Sequence, residues 1–254
     1  MTNKGVDFTL NAAVVDSNDF SYNTTFNFSY NKNEVTKVDV PSGSINNVLT
    51  FRSPVEGNPL NYLYSFNYAG LDENGNPTAF NENGELINVD GEKSVNGVLE
   101  NAEIDTIDAL IFEGTTTPKY YGAWINNFTY KNFYLKALTT FKLGHVFRNT
   151  DVMSYSSLGS SSQIHKDFEN RWKNPGDEAN TIVPRVPDGS FDIFNPGYRY
   201  YNQGNQFVDS ASHIRIKELV IGYNLDSKLL SEIGIDKLGL SLQARNLGVI
   251  TFNK

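Results

Sequence analysis

The 254-residue chain has no cysteine, only two methionines and two tryptophans, and a charged fraction of 20% where an average soluble domain has about 25%. The lack of thiols excludes a disulfide framework, a zinc–thiolate site and a cysteine nucleophile. Apolar residues are also scarce at 39%. Their runs, of which Ala109–Phe112 and Leu219–Ile221 are among the longest, fall far short of the roughly 18 consecutive positions of a membrane-spanning helix. Cations are outnumbered, with 21 Lys and Arg against 29 Asp and Glu. The resulting net charge of −8 argues against nucleic acid as a partner, since phosphate neutralisation needs a cationic face. The opening Met1-Thr2-Asn3-Lys4-Gly5 has no basic stretch leading into an apolar one, so no export signal is expected there.

Amides and aromatics are abundant instead, with 32 Asn, 14 Tyr and 17 Phe. This mixture is poor in helix formers and rich in strand and turn residues, which predicts an all-β fold. Period-two alternation locates the strands. Phe20, Tyr22, Thr24, Phe26, Phe28 and Tyr30 share one face, and Ser21, Asn23, Thr25, Asn27 and Ser29 the other. Val6, Phe8, Leu10, Ala12 and Val14 alternate in the same way before the turn Asp16–Asp19. Six strands are expected, at about 5–15, 20–32, 122–130, 133–144, 212–224 and 237–247, forming three hairpins. Ile214 and Ile216 run out of phase with Leu219, Ile221 and Tyr223, which predicts a β-bulge near Lys217-Glu218 or, alternatively, a strand buried on both faces.

The connections alternate between short and long, the long ones running over about 33–121 and 145–211. Loops in compact soluble domains have a median of about 4–6 residues. Transmembrane barrels, by contrast, join strands of about ten residues through short periplasmic turns and longer extracellular loops. The polar alternates, Asn23, Asn27, Gln243 and Arg245 among them, are mostly uncharged and suit a wet lumen. Phe20, Tyr22, Phe26, Phe28, Tyr30, Trp124, Phe128, Leu240 and Leu242 are then expected to face lipid, with aromatics at the strand ends forming interfacial girdles. The expected architecture is a partial transmembrane antiparallel β-barrel of up-and-down hairpins. The alternative is a secreted or surface β-sandwich that binds carbohydrate without catalysis, its aromatics packing a core.

Within the long connections, Asp72-Glu73-Asn74-Gly75-Asn76-Pro77 looks like a calcium loop but departs from the EF-hand pattern, with Gly75 one place early; Asn-Gly turns explain it better. Tyr62, Tyr64, Phe66 and Tyr68 suggest a further strand. Arg171, Trp172, Tyr198, Arg199, Tyr200 and Tyr201 are candidates for substrate or partner contact through stacking and cation–π interactions, or else pack the loop against itself. His145, His165 and His213 are isolated, no nucleophile elbow or phosphate loop is present, and no catalytic residue, metal or cofactor is expected.

Several stretches, taken in order, resemble the C-terminal barrel region of SusC/RagA-type TonB-dependent outer-membrane transporters. They are Phe26–Val38 (FNFSYNKNEVTKV), Glu56–Pro77 with its AGLDENGNP ending, Gly114–Leu135 (GTTTPKYYGAWINNFTYKNFYL), Arg171–Arg185 (RWKNPGDEANTIVPR), Ser210–Leu225 (SASHIRIKELVIGYNL) and Leu238–Thr251 (LGLSLQARNLGVIT). The resemblance implies an outer-membrane barrel with a plug domain, a SusD-like lipoprotein at its mouth, coupling to the TonB complex through an N-terminal part, and import of glycans or peptides. Signal, plug, early strands and the final strand are not expected within this chain, and the family fixes no catalytic residues.

Overall fold

Alternating aromatic and amide side chains favour extended backbone, because each strand then presents one apolar and one polar face. A computed structural model describes residues 1–39, 44–88, 94–95, 98–99, 104, 106–154, 164–186, 196–225, 234–235 and 237–253. Most of the connection over 224–236 therefore lies outside the described residues. In chain order the elements are β1 (Thr2–Asp16), β2 (Phe20–Glu34), α1 (Ile45–Leu49), β3 (Tyr62–Leu71), β4 (Pro77–Phe80), β5 (Leu86–Asn88), β6 (Ser94–Val95), β7 (Val98–Leu99), β8 (Leu110–Thr115), β9 (Tyr120–Tyr130), β10 (Phe133–Leu143), β11 (Val146–Arg148), α2 (Pro196–Asn202), β12 (Val208–Ser210), β13 (His213–Asn224) and β14 (Gly239–Thr251). Short 3-10 turns lie between some of them. No described helix is long and apolar enough to cross a membrane, which says nothing of strands.

The chain divides into two units. The first comprises 1–34, 115–145 and 210–254. It is one antiparallel sheet in the order β1-β2-β9-β10-β13-β14, so every strand pairs with its predecessor in this unit. The hairpin between β9 and β10 closes through Lys131 and Asn132, with Lys131 at φ 51°, the left-handed conformation that tight hairpin turns demand of their first central residue.

Two bulges adjust the faces. In β1 the register shifts between Ala13 and Val15, so that Val15, not Val14, stands opposite Tyr22. In β13 it shifts between Ile216 and Glu218 against both neighbouring strands. The extra residue, Lys217, returns Ile214 and Ile216 to the face of Leu219, Ile221 and Tyr223, which accounts for the broken alternation in the sequence.

The second unit comprises 35–114 and 146–209. These segments read as long loops in the sequence, yet they share a core, and the first of them forms a four-stranded sheet in the order β5-β4-β3-β8. Residues Tyr62–Phe66 of β3 are buried on both faces. Helix α1 buries Ile45, Val48 and Leu49, an i, i+3, i+4 stripe, and Ser44 caps it by accepting from the Asn46 amide at 3.2 Å. The two insertions interlock along β3: the Phe66 amide donates to the Gln203 carbonyl at 3.0 Å and the Tyr68 amide to Asn205 Oδ1 at 3.1 Å.

Candidate functional site

Cross-strand partners share a face, so the registers fix which side chains stand together on the six-stranded sheet. One row runs Val15, Tyr22, Phe128, Leu135, Ile221, Leu242, one residue from each strand. Parallel rows contain Phe26 with Trp124, Phe28 between Phe8 and Gly122, Tyr30 between Val6 and Tyr120, and Phe20, Tyr130, Phe133, Tyr223 and Leu240. All nine residues expected on the apolar side occupy this one face. Among the described residues it is uncovered: Leu242 is 75% exposed, Leu240 65% and Val6 62%. A soluble sandwich would bury these side chains against a second layer.

The opposite face carries Asn23, Asn27, Gln243 and Arg245. Asn23 lies in a row with Asn127, Lys136, Val220 and Gln243. Asn27 Oδ1 accepts from Thr9 Oγ1 at 3.1 Å, and Thr25 Oγ1 donates to Asn11 Oδ1 at 2.9 Å. Glu218 is the centre of charge, accepting from Gln243 Nε2 at 2.6 Å and Arg245 Nε at 3.2 Å, with Lys136 Nζ at 3.6 Å. Sheet alternation thus separates a hydrogen-bonded polar surface from a hydrocarbon one across a single thickness of backbone.

In the second unit, residues 165–183 frame an open cleft of ≈ 850 Å³ whose lining includes Asp167, Asn170, Lys173, Asn174, Asn180 and Tyr201. His165 starts this segment by accepting the Asp167 amide on Nδ1 at 3.2 Å. Asp177 ties the loop by accepting the amides of Lys173 and Asn174 at 3.0 and 2.9 Å. Hydrogen bonds from its own amide, the Trp172 indole and the Gly176 amide hold the Glu178 carboxyl below the usual carboxylate range. The Trp172 bond is 3.0 Å long. The rim is thus built of amides and carboxylates fixed by bonds to one another.

Five of the six candidate contact residues pack within this unit, and Arg171 and Tyr201 also line the cleft. Tyr198, Tyr200 and Tyr201 are 4%, 1% and 1% exposed, so of the two readings open at 198–201 the burial favours packing of the loop against itself. Tyr200 meets Phe66 edge-on at 4.8 Å, and Tyr201 meets Phe207 at 5.0 Å. Tyr198 donates to the Arg185 carbonyl at 2.9 Å. The reason is area: joining the two insertions buries these rings, and their hydroxyls find partners. Trp172 is half-buried, its ring lying where a Gly75 side chain would be, since a Cβ there would come within 2.4 Å of it. Arg171 stacks on Phe168 at 4.1 Å. Arg199 remains half-exposed, reaching Asn46 Oδ1 at 3.2 Å.

The Asp72–Asn76 turn, which looks like a calcium loop in the sequence, is knitted internally. Asp72 Oδ1 accepts the Asn74 and Asn76 backbone amides at 2.9 and 2.8 Å, and Oδ2 accepts Asn76 Nδ2 at 3.1 Å. Among the described residues no group of three or more His, Asp or Glu gathers as for a metal.

A pair missed in the sequence lies behind β3. Arg148 Nη2 donates to the Tyr64 carbonyl at 2.6 Å and to Ser65 Oγ at 3.0 Å, facing Glu113. Burial raises the Glu113 carboxyl above its ordinary range, against the opposing pull of Ser65 and Arg148. Neither residue belongs to a local motif, and only the fold brings β8 and β11 together.

No protein-family model matches the chain. Two curated relatives do. TonB-dependent receptor P3 of Formosa agariphila is 28% identical over 265 residues, covering 99% of this chain and 24% of that protein. TonB-dependent receptor P39 of the same organism is 24% identical over 285 residues, covering 98% and 26%. The solved structure of the RagAB peptide transporter superposes with a TM-score of 0.64 at 22% identity, over 98% of this chain and 26% of the other. The RagAB peptide importer in its open-open and closed-closed states gives 0.64 and 0.63. The chain therefore spans about a quarter of the length of the proteins it matches. The two-faced antiparallel sheet and these near-complete alignments together show that the chain is similar to a quarter-length segment of TonB-dependent receptors and shares the fold of the matching part of the RagAB transporter.

Proposed function

We propose that the six-stranded sheet is part of the wall of an outer-membrane importer, with its apolar face against lipid and its polar face against a wet lumen. The observation that carries this is the pair of aromatic rows bounding the uncovered apolar face. Phe20, Tyr130, Phe133 and Tyr223 lie at the short-turn end, and Tyr30 and Tyr120 at the other. From Phe20 to Tyr30, ten residues at about 3.3 Å each span about 33 Å, which a strand tilt of roughly 40° reduces to about 25 Å, the height of an outer-membrane apolar band. The second unit then represents the extracellular portion. Its amide-rich cleft at 165–183 meets a peptide or oligosaccharide delivered by a SusD-like lipoprotein, and opening is driven through TonB by differential affinity of loop conformations. The name of the RagAB structures, a peptide transporter, favours a peptide cargo.

The test is uptake by cells carrying the complete receptor. Fluorescent oligopeptides and oligosaccharides of matched size are supplied separately to wild-type and receptor-deleted strains. Deletion is expected to abolish accumulation of one class and leave the other unchanged. Equal accumulation of both classes in the two strains would overturn the import reading.

A further inference from the structure

Two hollows meet at the short-turn end of the sheet. The first, of ≈ 540 Å³, is polar and includes Asn18, Asp19, Lys131 and Asn132 in its lining. The second, of ≈ 200 Å³, is an apolar groove between Phe128, Leu135 and Ile221. Tyr130 and Phe133 line both, so the polar hollow and the groove share a wall. The strands involved, β2, β9, β10 and β13, are all interior to the sheet, so both neighbours of every wall are in place. The Lys131 amide donates to the Asp19 carbonyl at 2.7 Å, which locks the two turns together, and the Lys131 ammonium sits 5.6 Å from the centroid of the Tyr130 ring.

Resting on the lipid-facing assignment proposed above, we infer that this end of the sheet is a binding site for one zwitterionic phospholipid of the periplasmic leaflet, of the phosphatidylethanolamine type. The groove is continuous with the apolar face and takes the start of an acyl chain. The headgroup lies in the polar hollow, its phosphate against the Lys131 ammonium and its primary amine against the Asp19 carboxylate. One cation beside one anion matches a zwitterion; an anionic headgroup would gain the lysine but meet the aspartate as a like charge. Girdle aromatics usually hold a barrel at the interface through many interchangeable lipids. Here an opposite-charge pair and an adjoining groove define a single lipid.

The receptor that contains this segment is extracted from outer membranes in mild detergent and titrated with phosphatidylethanolamine or phosphatidylglycerol, bound lipid being counted by native mass spectrometry. Phosphatidylethanolamine is expected to bind at about tenfold lower concentration, the scale of one charge-assisted contact, and Asp19→Asn to erase that preference. Ile221→Trp, which fills the groove, is expected to remove the bound lipid, whereas Leu242→Trp, on the same apolar face outside the groove, retains it. Persistence of a heat-modifiable gel band shows that each variant is folded. Equal binding of both lipids by the wild type, or equal effects of the two tryptophans, would show annular lipid only and overturn the site. A receptor found free of the outer membrane would instead sink the importer reading on which the site rests.

Discussion

The indole Nε1 of Trp124 donates to Thr24 Oγ1 at 2.9 Å across β9 and β2, on the apolar face of the sheet. Thr24 in turn donates to Asn126 Oδ1 at 3.0 Å, which also accepts the Tyr22 hydroxyl at 2.8 Å. Four polar groups thus satisfy one another in the middle of an otherwise hydrocarbon surface, as a bilayer requires of any polar atom within it. Asn126→Ala leaves the Tyr22 hydroxyl without its acceptor, while Thr24 keeps the Ile125 carbonyl at 3.2 Å, and is expected to destabilise the folded barrel by about 1–3 kcal/mol. The combined change Tyr22→Phe, Thr24→Val, Trp124→Phe and Asn126→Leu removes the whole group and is expected to be far milder. Urea-induced unfolding in lipid vesicles measures both. A combined variant worse than the single one would show that the network is not closed on itself.

Charge placement distinguishes the two faces. Leu242→Lys puts an ammonium on the apolar face one row in from the Leu240 girdle row, and is expected to lower barrel stability by less than the about 2–4 kcal/mol of a midplane cation. Its neighbour Gln243, one residue on, points to the opposite face and already bonds Glu218. Gln243→Lys is expected to change stability little. Outer-membrane fractionation and vesicle folding of the complete receptor report the contrast; equal losses at both positions would mean that the faces do not meet different solvents.

The six-stranded sheet was legible because its information is local. Alternation from Phe20 to Tyr30 shows two faces without any knowledge of partners, and the phase break at Lys217 marks its own bulge. The second unit was not legible for the opposite reason. Its core joins Tyr62, Tyr64 and Phe66 to Tyr200, residues some 130 positions apart, and no periodicity announces that pairing. Tyr198, Tyr200 and Tyr201 lie on a seven-residue helix too short to show an amphipathic repeat, so the sequence leaves surface contact and burial both open where the structure shows burial. Of the candidate site, the faces came from the period of a strand, whereas the cleft at 165–183 depends on loop closure by Asp177 and Glu178, which only coordinates reveal.

Gly75 and Trp172 form the seam between the two insertions. Gly75 sits at φ +76° and its Cα abuts the indole, so Gly75→Ala introduces backbone strain and a steric clash together. A non-glycine residue in that region costs about 1–3 kcal/mol by itself. The variant is expected to loosen residues 165–183, seen as faster proteolysis there and a red-shifted tryptophan emission. In a Trp172→Ala background the same glycine change is expected to have a smaller effect, since the clash is gone and only the φ penalty remains. Strict additivity of the two changes would show that the ring does not rest on the glycine.

Glu113 gives the second unit a defined pH response. Burial is the largest influence on its carboxyl and raises its pKa above the ordinary value of 4.5, with Ser65 and Arg148 as the groups facing it. A raised folded-state pKa means that folding favours the protonated acid. The associated stability is fully present below the unfolded value and is lost as pH climbs through the folded one. Glu113→Gln keeps the shape and an acceptor for Ser65 while removing the ionisation. It is therefore expected to melt at a higher temperature than the wild type at pH 7–8, with the difference closing as pH falls toward about 4.5. Differential scanning fluorimetry of both proteins across that range decides it. A glutamine variant less stable at neutral pH, with the gap narrowing in acid, would show that the attraction to Arg148 outweighs burial and would reverse the sign.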